Sequence, residues 1–344
     1  MKASNEEGNP VTRYVLVDAH AIIHRAYHAL PFLQSKQGIP SGALFGLTNT
    51  LINTIEKFKP QYIFAANDLP KPTFRSVSFK EYKAHRTAVD ETLVEQIVLA
   101  PKIFEAFGIP LLSLSGYEAD DVIGTLVKKI SAKHKKNKKP YQIIILTGDM
   151  DIMQLVEGDN VVVYTAKKGE ENIIYNEDEV KKRYGLTPNQ IPDFKGLRGD
   201  TSDNIPGIKG IGEKTAWSIL NHAPDLDTVY KRIDQGEQAK DFKITERMFQ
   251  LLKDGQEDAM FSKELATISC DIEINIPDVE EYDLRTHVHK LLVVSEEYTF
   301  SSVKRKLESL NGTRVAAIQS TDLNSFAVVP EKDKLVIGEK VEEA

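Results

Sequence analysis

Five apolar runs of strand length, at residues 14–17, 62–66, 111–114, 143–146 and 161–164, most constrain what this chain can become. Several are separated by helical patterns, such as Leu44, Leu47, Leu51, Ile55 and Phe58 at spacings of three and four. Strands alternating with helices predict an α/β fold built on a parallel sheet. Carboxylates follow most of these runs: Asp18 closes "YVLVD", Asp68 closes "YIFAAND", Glu118, Asp120 and Asp121 follow "PLLSLSGY", and Asp149 and Asp151 close "IIILTGDMD". In an open parallel sheet the strand ends share one edge, and the crevice beside that edge is where ligands bind.

The stretch "GYEADDVIGTL" (116–126) shows the difficulty this creates. Three carboxylates within four positions repel one another and resist desolvation. A helix N-terminus relieves each by about 0.3–1 kcal/mol; a bound cation relieves them more, and this stretch alone leaves both readings open. Carboxylates gathered from four parts of the chain need partners, and hard divalent cations with oxygen ligands are the natural ones. Magnesium or manganese fits best, since no Cys or His cluster recommends zinc.

Bulk properties narrow the class. With 344 residues, of which 41% are hydrophobic, the chain can build two ordinary domains. Its start, "MKASNEEGNP", lacks a basic and apolar leader, and nowhere do eighteen apolar residues run together, so the expectation is a soluble cytoplasmic protein with no membrane partner. A single cysteine, Cys270, excludes an internal disulfide framework and is read as a small filler. The net charge of -7 argues against a nucleic-acid partner until its distribution is seen. Residues 71–86 carry Lys71, Arg75, Lys80, Lys83 and Arg86 against Glu81, with Phe74, Phe79 and Tyr82 interleaved. The basic run "KKISAKHKKNKK" is read as a helix C-terminus and solvated loop.

Beyond residue 185 the character changes. "TPNQIPDFKGLRGD" opens with Thr187 as N-cap, Pro188 at the first helical position and Gln190 at the capping-box position. "GDTSDNIPGIKGIGEKTA" then supplies Asp200 and Asp203, the glycines Gly207, Gly210 and Gly212, and a helix from about Glu213. Such a turn, with Lys209 and Lys214, can present backbone N–H groups and charge to phosphate as a helix-hairpin-helix does.

Taken together, "VDAHAIIHRAYHAL", "PTFR" with "EYKAHR", "GIPLLSLSGYEADDVIGTL", "ILTGDMDIMQLV" and "LRGDTSDNIPGIKGIGEKTA" resemble the 5′ nuclease (flap endonuclease-like) family, in particular the 5′→3′ exonuclease domain of bacterial DNA polymerase I. The likeness covers roughly residues 13–310. It implies a PIN-like α/β parallel-sheet nuclease core at 13–185 with a helical arch near 71–90, a mostly helical DNA-binding subdomain at 186–310, a polar tail at 1–12 and a C-terminal tail or linker at 311–344.

Carried over by motif, the resemblance implies metal ligands at Asp18, Asp68, Glu118, Asp120, Asp121, Asp149, Asp151, Asp200 and Asp203. One Mg²⁺ or Mn²⁺ belongs mainly to Asp68, Glu118 and Asp120 with Asp18 nearby, a second to Asp149, Asp151, Asp200 and Asp203. Lys83 and Arg86 match catalytic basic residues of the arch. Arg25, Arg75, Tyr82, Gly207, Lys209, Gly210, Gly212 and Lys214 are the expected DNA contacts, with a K⁺ ion at the hairpin. His20, His24 and His28 are read as structural. Asn67, Met150 and Lys80 depart from the family's usual apolar, lysine and proline residues, and none removes a ligand. The implied activity is structure-specific 5′→3′ exonuclease and flap endonuclease cleavage of flapped, nicked or 5′-ended duplex DNA by a monomer, through two ions about 3.5–4 Å apart, in primer removal and repair. An RNA-directed nuclease, a small-molecule phosphohydrolase and a non-enzymatic DNA-binding module are the alternatives.

Overall fold

The computed structural model describes residues 10–30, 33–86, 89–165 and 173–311. Most of the tails expected at 1–12 and 311–344 lies outside the described residues. Six strands, β1 (Thr12–Asp18), β2 (Tyr62–Ala66), β3 (Leu111–Leu112), β4 (Tyr141–Leu146), β5 (Val161–Thr165) and β6 (Ile173–Tyr175), form one sheet in the order β3-β2-β1-β4-β5-β6. The first five are parallel and β6 runs antiparallel to β5. β3 pairs through two residues instead of the expected four, and β6 corresponds to none of the five apolar runs.

Among the described residues α1 (Ala19–Ala29), α2 (Gly42–Phe58), α3 (Phe74–Ser78), α4 (Glu91–Phe107) and α5 (Ala119–Asn137) lie between the strands. They are followed by α6 (Glu177–Tyr184), α7 (Ile191–Arg198), α8 (Glu213–His222), α9 (Leu226–Asp234), α10 (Glu246–Asp254), α11 (Gln256–Ala266), α12 (Val288–Glu297) and α13 (Ser301–Asn311). No helix among the described residues is long and apolar enough to cross a membrane. Among the described residues of the segment expected as an arch, helix is confined to α3, and residues 80–85 fold as turns.

Side chains alternate across the sheet, as the two-residue period of a strand requires. Val15 and Val17 of β1 pack with Ile22, Leu47, Leu51, Phe104 and Phe107 from α1, α2 and α4. Tyr14 and Leu16 face the other way, onto Val122, Ile123 and Leu126 of α5. α12 and α13, which fall inside the stretch assigned to the helical subdomain, instead return to the first face and bury Leu291, Leu292, Val303 and Leu307 there. A separate core of Leu197, Ile208, Ile219, Leu220, Phe242 and Leu252 holds α7–α10 together. The Thr187 capping signal is realised, but its first turn is a 3₁₀ helix, Pro188–Gln190, leading into α7.

Where α7 hands over to the loop before α8, two backbones touch. Gly199 (φ +76°) and Gly207 (φ +61°) both sit in the left-handed region, and a Cβ on Gly207 would lie 2.1 Å from the Gly199 nitrogen. Only glycine fits there. Gly207→Ala should therefore cost more than about 2 kcal/mol by urea unfolding; a cost below about 0.5 kcal/mol would contradict this packing.

Candidate active site

Asp18 ends β1 and caps α1: one carboxylate oxygen accepts from the Ala21 N–H at 3.0 Å, the other from the Thr147 hydroxyl at 2.6 Å. Thr147 follows β4 directly. The chain leaves β1 across one sheet face through α1 and α2 and enters β4 from the other through α5, so β1 and β4 flank the switch point where a crevice must open. Asp68, beyond β2, accepts from the Ala119 N–H at 2.7 Å and is thereby tied to the start of α5.

The crowded carboxylates of "GYEADD" divide three ways. Asp121 is fully buried; it takes a bidentate ion pair from Arg75 with both bonds at 2.8 Å and accepts from the Glu118 and Ser269 N–H groups. Glu118 meets the Lys83 ammonium at 3.0 Å. Asp120 faces a cleft of about 190 Å³, which it lines with Asp18, Asp68, Glu118 and Asp149. Lys83 and Arg86 line the same cleft, as do His20 and His24.

Protein cations hold the other acids. Arg86 lies 2.7 Å from Asp203, and Lys83 3.7 Å from it. The backbone of Lys83 is left-handed (φ +55°) and its N–H donates to the Asp203 carbonyl, a strained placement of the kind kept where a side chain must be aimed. Lys195, almost buried, bridges Asp151 and Asp200. Asp149 accepts from the Asp151 N–H at 2.8 Å, so the two groups of acids adjoin.

Burial, with the charges of Asp68 and Asp149 adding to it, pushes Asp18 up to about 6 despite its two hydrogen bonds. Burial, then Asp149 and Asp18, raises Asp120 well above the carboxylate range. Burial also lifts Asp151 to about 6 against the pull of Lys195. Asp200 goes the other way, to about 2, because bonds from Lys195 and Ser202 outweigh its burial. His24 is lowered to about 4 by burial and the neighbouring His20 and His28.

Several expectations need correction. Arg75 is 2% exposed and committed to Asp121 and two carbonyls, so its guanidinium is not presented to DNA. Asp121 has its carboxylate taken up by Arg75 and two N–H groups, which removes it from the ligand positions. Tyr82 is buried with its hydroxyl between Glu118 and Asp203, leaving no face for a base. Gly207 is buried and its N–H donates to Ser262, whereas Lys209, Gly210, Gly212 and Lys214, the other residues expected to contact DNA there, stay exposed, with Glu213 among them. Asp151, Asp200 and Asp203 stand behind the cleft, not in its lining, and Arg25 is half-buried on α1 outside it. His20 and His24 face the cleft, and only His28 points away to solvent.

Sequence reasoning missed Thr147 and Lys195. The second had a signal: it stands four residues after Ile191 on the apolar face of α7. Met150, the departure beside Asp149, packs against the apolar core under α5, and the cation next to Asp151 comes from Lys195.

The all-oxygen donor set suits a hard divalent cation. Among the described residues no three acidic, histidine or cysteine side chains close on one point as a ready cage. The raised Asp18 and Asp120 nevertheless mark an excess of negative charge in the cleft that such a cation would relieve.

Residues 13–185 match the family described as "5′-3′ exonuclease, N-terminal resolvase-like domain", and residues 186–289 the one described as "5′-3′ exonuclease, C-terminal SAM fold". The chain is 37% identical to a 5′-3′ exonuclease of Buchnera aphidicola subsp. Baizongia pistaciae over 76% of its own length and 83% of that protein. It is 37% identical to DNA polymerase I of Caldicellulosiruptor bescii over 86% of its length, but spans only 33% of that relative. In fold it is similar to the T5 5′-exonuclease with bound zinc ions (TM-score 0.57, 18% identity, 87% and 99% of the two chains). The catalytic core of Rad2 in complex with DNA substrate is similar too (TM-score 0.51, 14% identity, 88% and 93%).

The raised Asp18 has a stability consequence. A carboxyl near 6 in the folded chain and near about 4 unfolded keeps its proton longer when folded, so this contribution falls as pH rises from about 4 to about 6. Asp200, depressed, acts oppositely but only between about pH 4 and 2. In chelator, Asp18→Asn should be more stable than wild type at pH 7 by about 1–3 kcal/mol, and the advantage should vanish near pH 4. An advantage independent of pH in denaturant titrations would show that the buried charge of Asp18 is not its cause.

Proposed function

Because this chain belongs to the 5′-3′ exonuclease family, we propose that it hydrolyses phosphodiester bonds at or near the 5′ end of DNA, with flapped, nicked and 5′-ended duplexes as substrates. The observation that carries the proposal is the gathering of Asp18, Asp68, Glu118, Asp120 and Asp149 in one cleft with Lys83 and Arg86 at its side. The same reading gives the cleft two Mg²⁺ or Mn²⁺ ions. Asp18, Asp68, Glu118 and Asp120 would hold one, and Asp149, backed by Asp151, Asp200 and Asp203, the other. When bound, ions of this kind supply an activated water at neutral pH and offset charge on the phosphoryl and leaving oxygens.

The chain's own residues do the rest. Thr147 and the Ala21 N–H fix both oxygens of Asp18, so that carboxylate cannot rotate away from the cleft. Lys83 and Arg86 are held on Glu118 and Asp203. Once these carboxylates are neutralised, both cations are free to turn to the scissile phosphate and stabilise its developing charge. His20 and His24, kept neutral by burial, wall the cleft without adding charge. Lys209 and Lys214, with the exposed Gly210 and Gly212 at the start of α8, would grip duplex phosphates without reading sequence. A K⁺ ion at that turn is part of the proposal.

The test is incubation of 5′- and 3′-labelled flap, nicked and blunt DNAs with Mg²⁺ and with chelator, beside a chromogenic phosphomonoester. Chelator-sensitive release of 5′ products is expected, and hydrolysis of the monoester alone would overturn the reading. Asp120→Asn should lower the cleavage rate by about 10³-fold or more while DNA affinity stays measurable; an active variant would remove Asp120 from the ion site. Lys83→Ala should slow single-turnover cleavage at least about 100-fold and weaken duplex binding far less. Equal losses in rate and binding would mean that Lys83 only helps docking.

A further inference from the structure

Residues 265–269 join the end of α11 to the extended chain that returns across the sheet, and they are gripped from two sides in alternation. Toward α5, the Arg75 guanidinium donates to the Leu265 carbonyl at 2.9 Å and the Thr267 carbonyl at 2.8 Å, while Asp121 accepts from the Ser269 N–H at 2.8 Å. Toward the 3₁₀ helix Asp151–Leu155, the Gln154 amide donates to the Ala266 carbonyl at 3.0 Å and accepts from the Ile268 N–H at 2.9 Å. Odd-numbered groups bond toward Arg75 and Asp121 and even-numbered groups toward Gln154, across the last residues of α11 and the non-helical chain that follows it.

What each side carries gives the pattern its meaning. Arg75 and Asp121 form the ion pair under the N-terminus of α5, where Asp121 also holds the Glu118 N–H and Asp120 is the neighbouring residue. Gln154 also donates to the Asp151 carbonyl, one turn from Asp149. Gly124 lets the segment come this close to α5, since a Cβ there would lie 2.7 Å from Ile268 and 2.9 Å from Cys270. The segment thus has hydrogen bonds to the supports of both groups of acids.

We propose that residues 265–269 are a two-sided spacer that sets the distance between the two acid groups, and that Arg75 and Gln154 are positioning residues for the ions those acids hold. The proposal rests on the reading of the cleft as an ion site. It also makes the seating of the helical subdomain, through the end of α11, a condition for correct ion spacing.

The experiment compares wild type with Gln154→Leu and Arg75→Lys by Mn²⁺ calorimetry, amide hydrogen exchange and steady-state cleavage of a flap. Arg75→Lys keeps the charge but lacks the fork that reaches Asp121 and both carbonyls. Each variant should weaken Mn²⁺ uptake about ten-fold and lower kcat with little change in KM. Gln154→Leu should also speed exchange at the Ser269 N–H, which is bonded on the opposite side. A local structural role would leave that amide alone. Folded variants with wild-type Mn²⁺ affinity and unchanged exchange at Ser269 overturn the proposal. If Arg75→Lys does not fold, Gln154→Leu decides, with Gln154→Glu, which retains the acceptor for Ile268, expected between it and wild type. If wild type itself takes up no Mn²⁺, the ion reading fails; the exchange at Ser269 then still decides for or against the spacer.

Discussion

Repulsion among carboxylates gathered at one edge of the sheet is the constraint around which this molecule is arranged. The chain after β1, β2, β3 and β4 delivers charge to the same small region, and burial makes every unneutralised carboxylate costly. The chain answers with internal cations placed one behind another. Arg75 takes Asp121, Lys83 and Arg86 share Glu118 and Asp203, and Lys195 spans Asp151 and Asp200. What is left over is concentrated on Asp18 and Asp120, which burial and their neighbours' charge raise above the ordinary carboxylate range. The cleft is thus poised between proton and metal ion, because either can relieve the same charge.

Two scales of structure meet at that cleft. The sheet is rigid, with Leu16, Ile144, Ile145 and Leu146 fully buried between helices on both faces. It sets where Asp18, Asp68 and Asp149 begin. The cations come from elsewhere: Lys83 and Arg86 from turns beyond α3, Lys195 from α7 in the helical part. Neither part is complete alone, since the acids need the cations to be stable and the cations need the acids to be ordered. α12 and α13 reinforce this by adding to the core on the face of the sheet that α1, α2 and α4 cover.

Much was legible in the amino-acid order alone. Four of the five apolar runs lie within β1, β2, β4 and β5 and the fifth begins at β3, α2 occupies the stretch of Leu44 to Phe58 periodicity, and the basic run after residue 127 closes α5 as read. The gathering of acids at strand ends was legible too, because parallel strands leave it no other place. β6 escaped because three residues with Ile174 exposed carry no strand pattern. α12 and α13 were assigned to the wrong neighbours, since an amphipathic helix states that it has an apolar face and not what will cover it.

The residue types and order thus determined, without further help, that an α/β sheet would form and that its acids would meet. Periodicity and chain direction are local properties, and both survive in one dimension. Which acid takes an internal cation and which faces the open cleft was decided only in three dimensions. In "GYEADD" the sequence offers three near-equivalent carboxylates; Asp121 is the buried one because Arg75, 46 residues earlier, and the Ser269 N–H, 148 residues later, arrive at its side. Burial and pairing depend on what the whole chain brings within a few ångströms, and no local pattern records that.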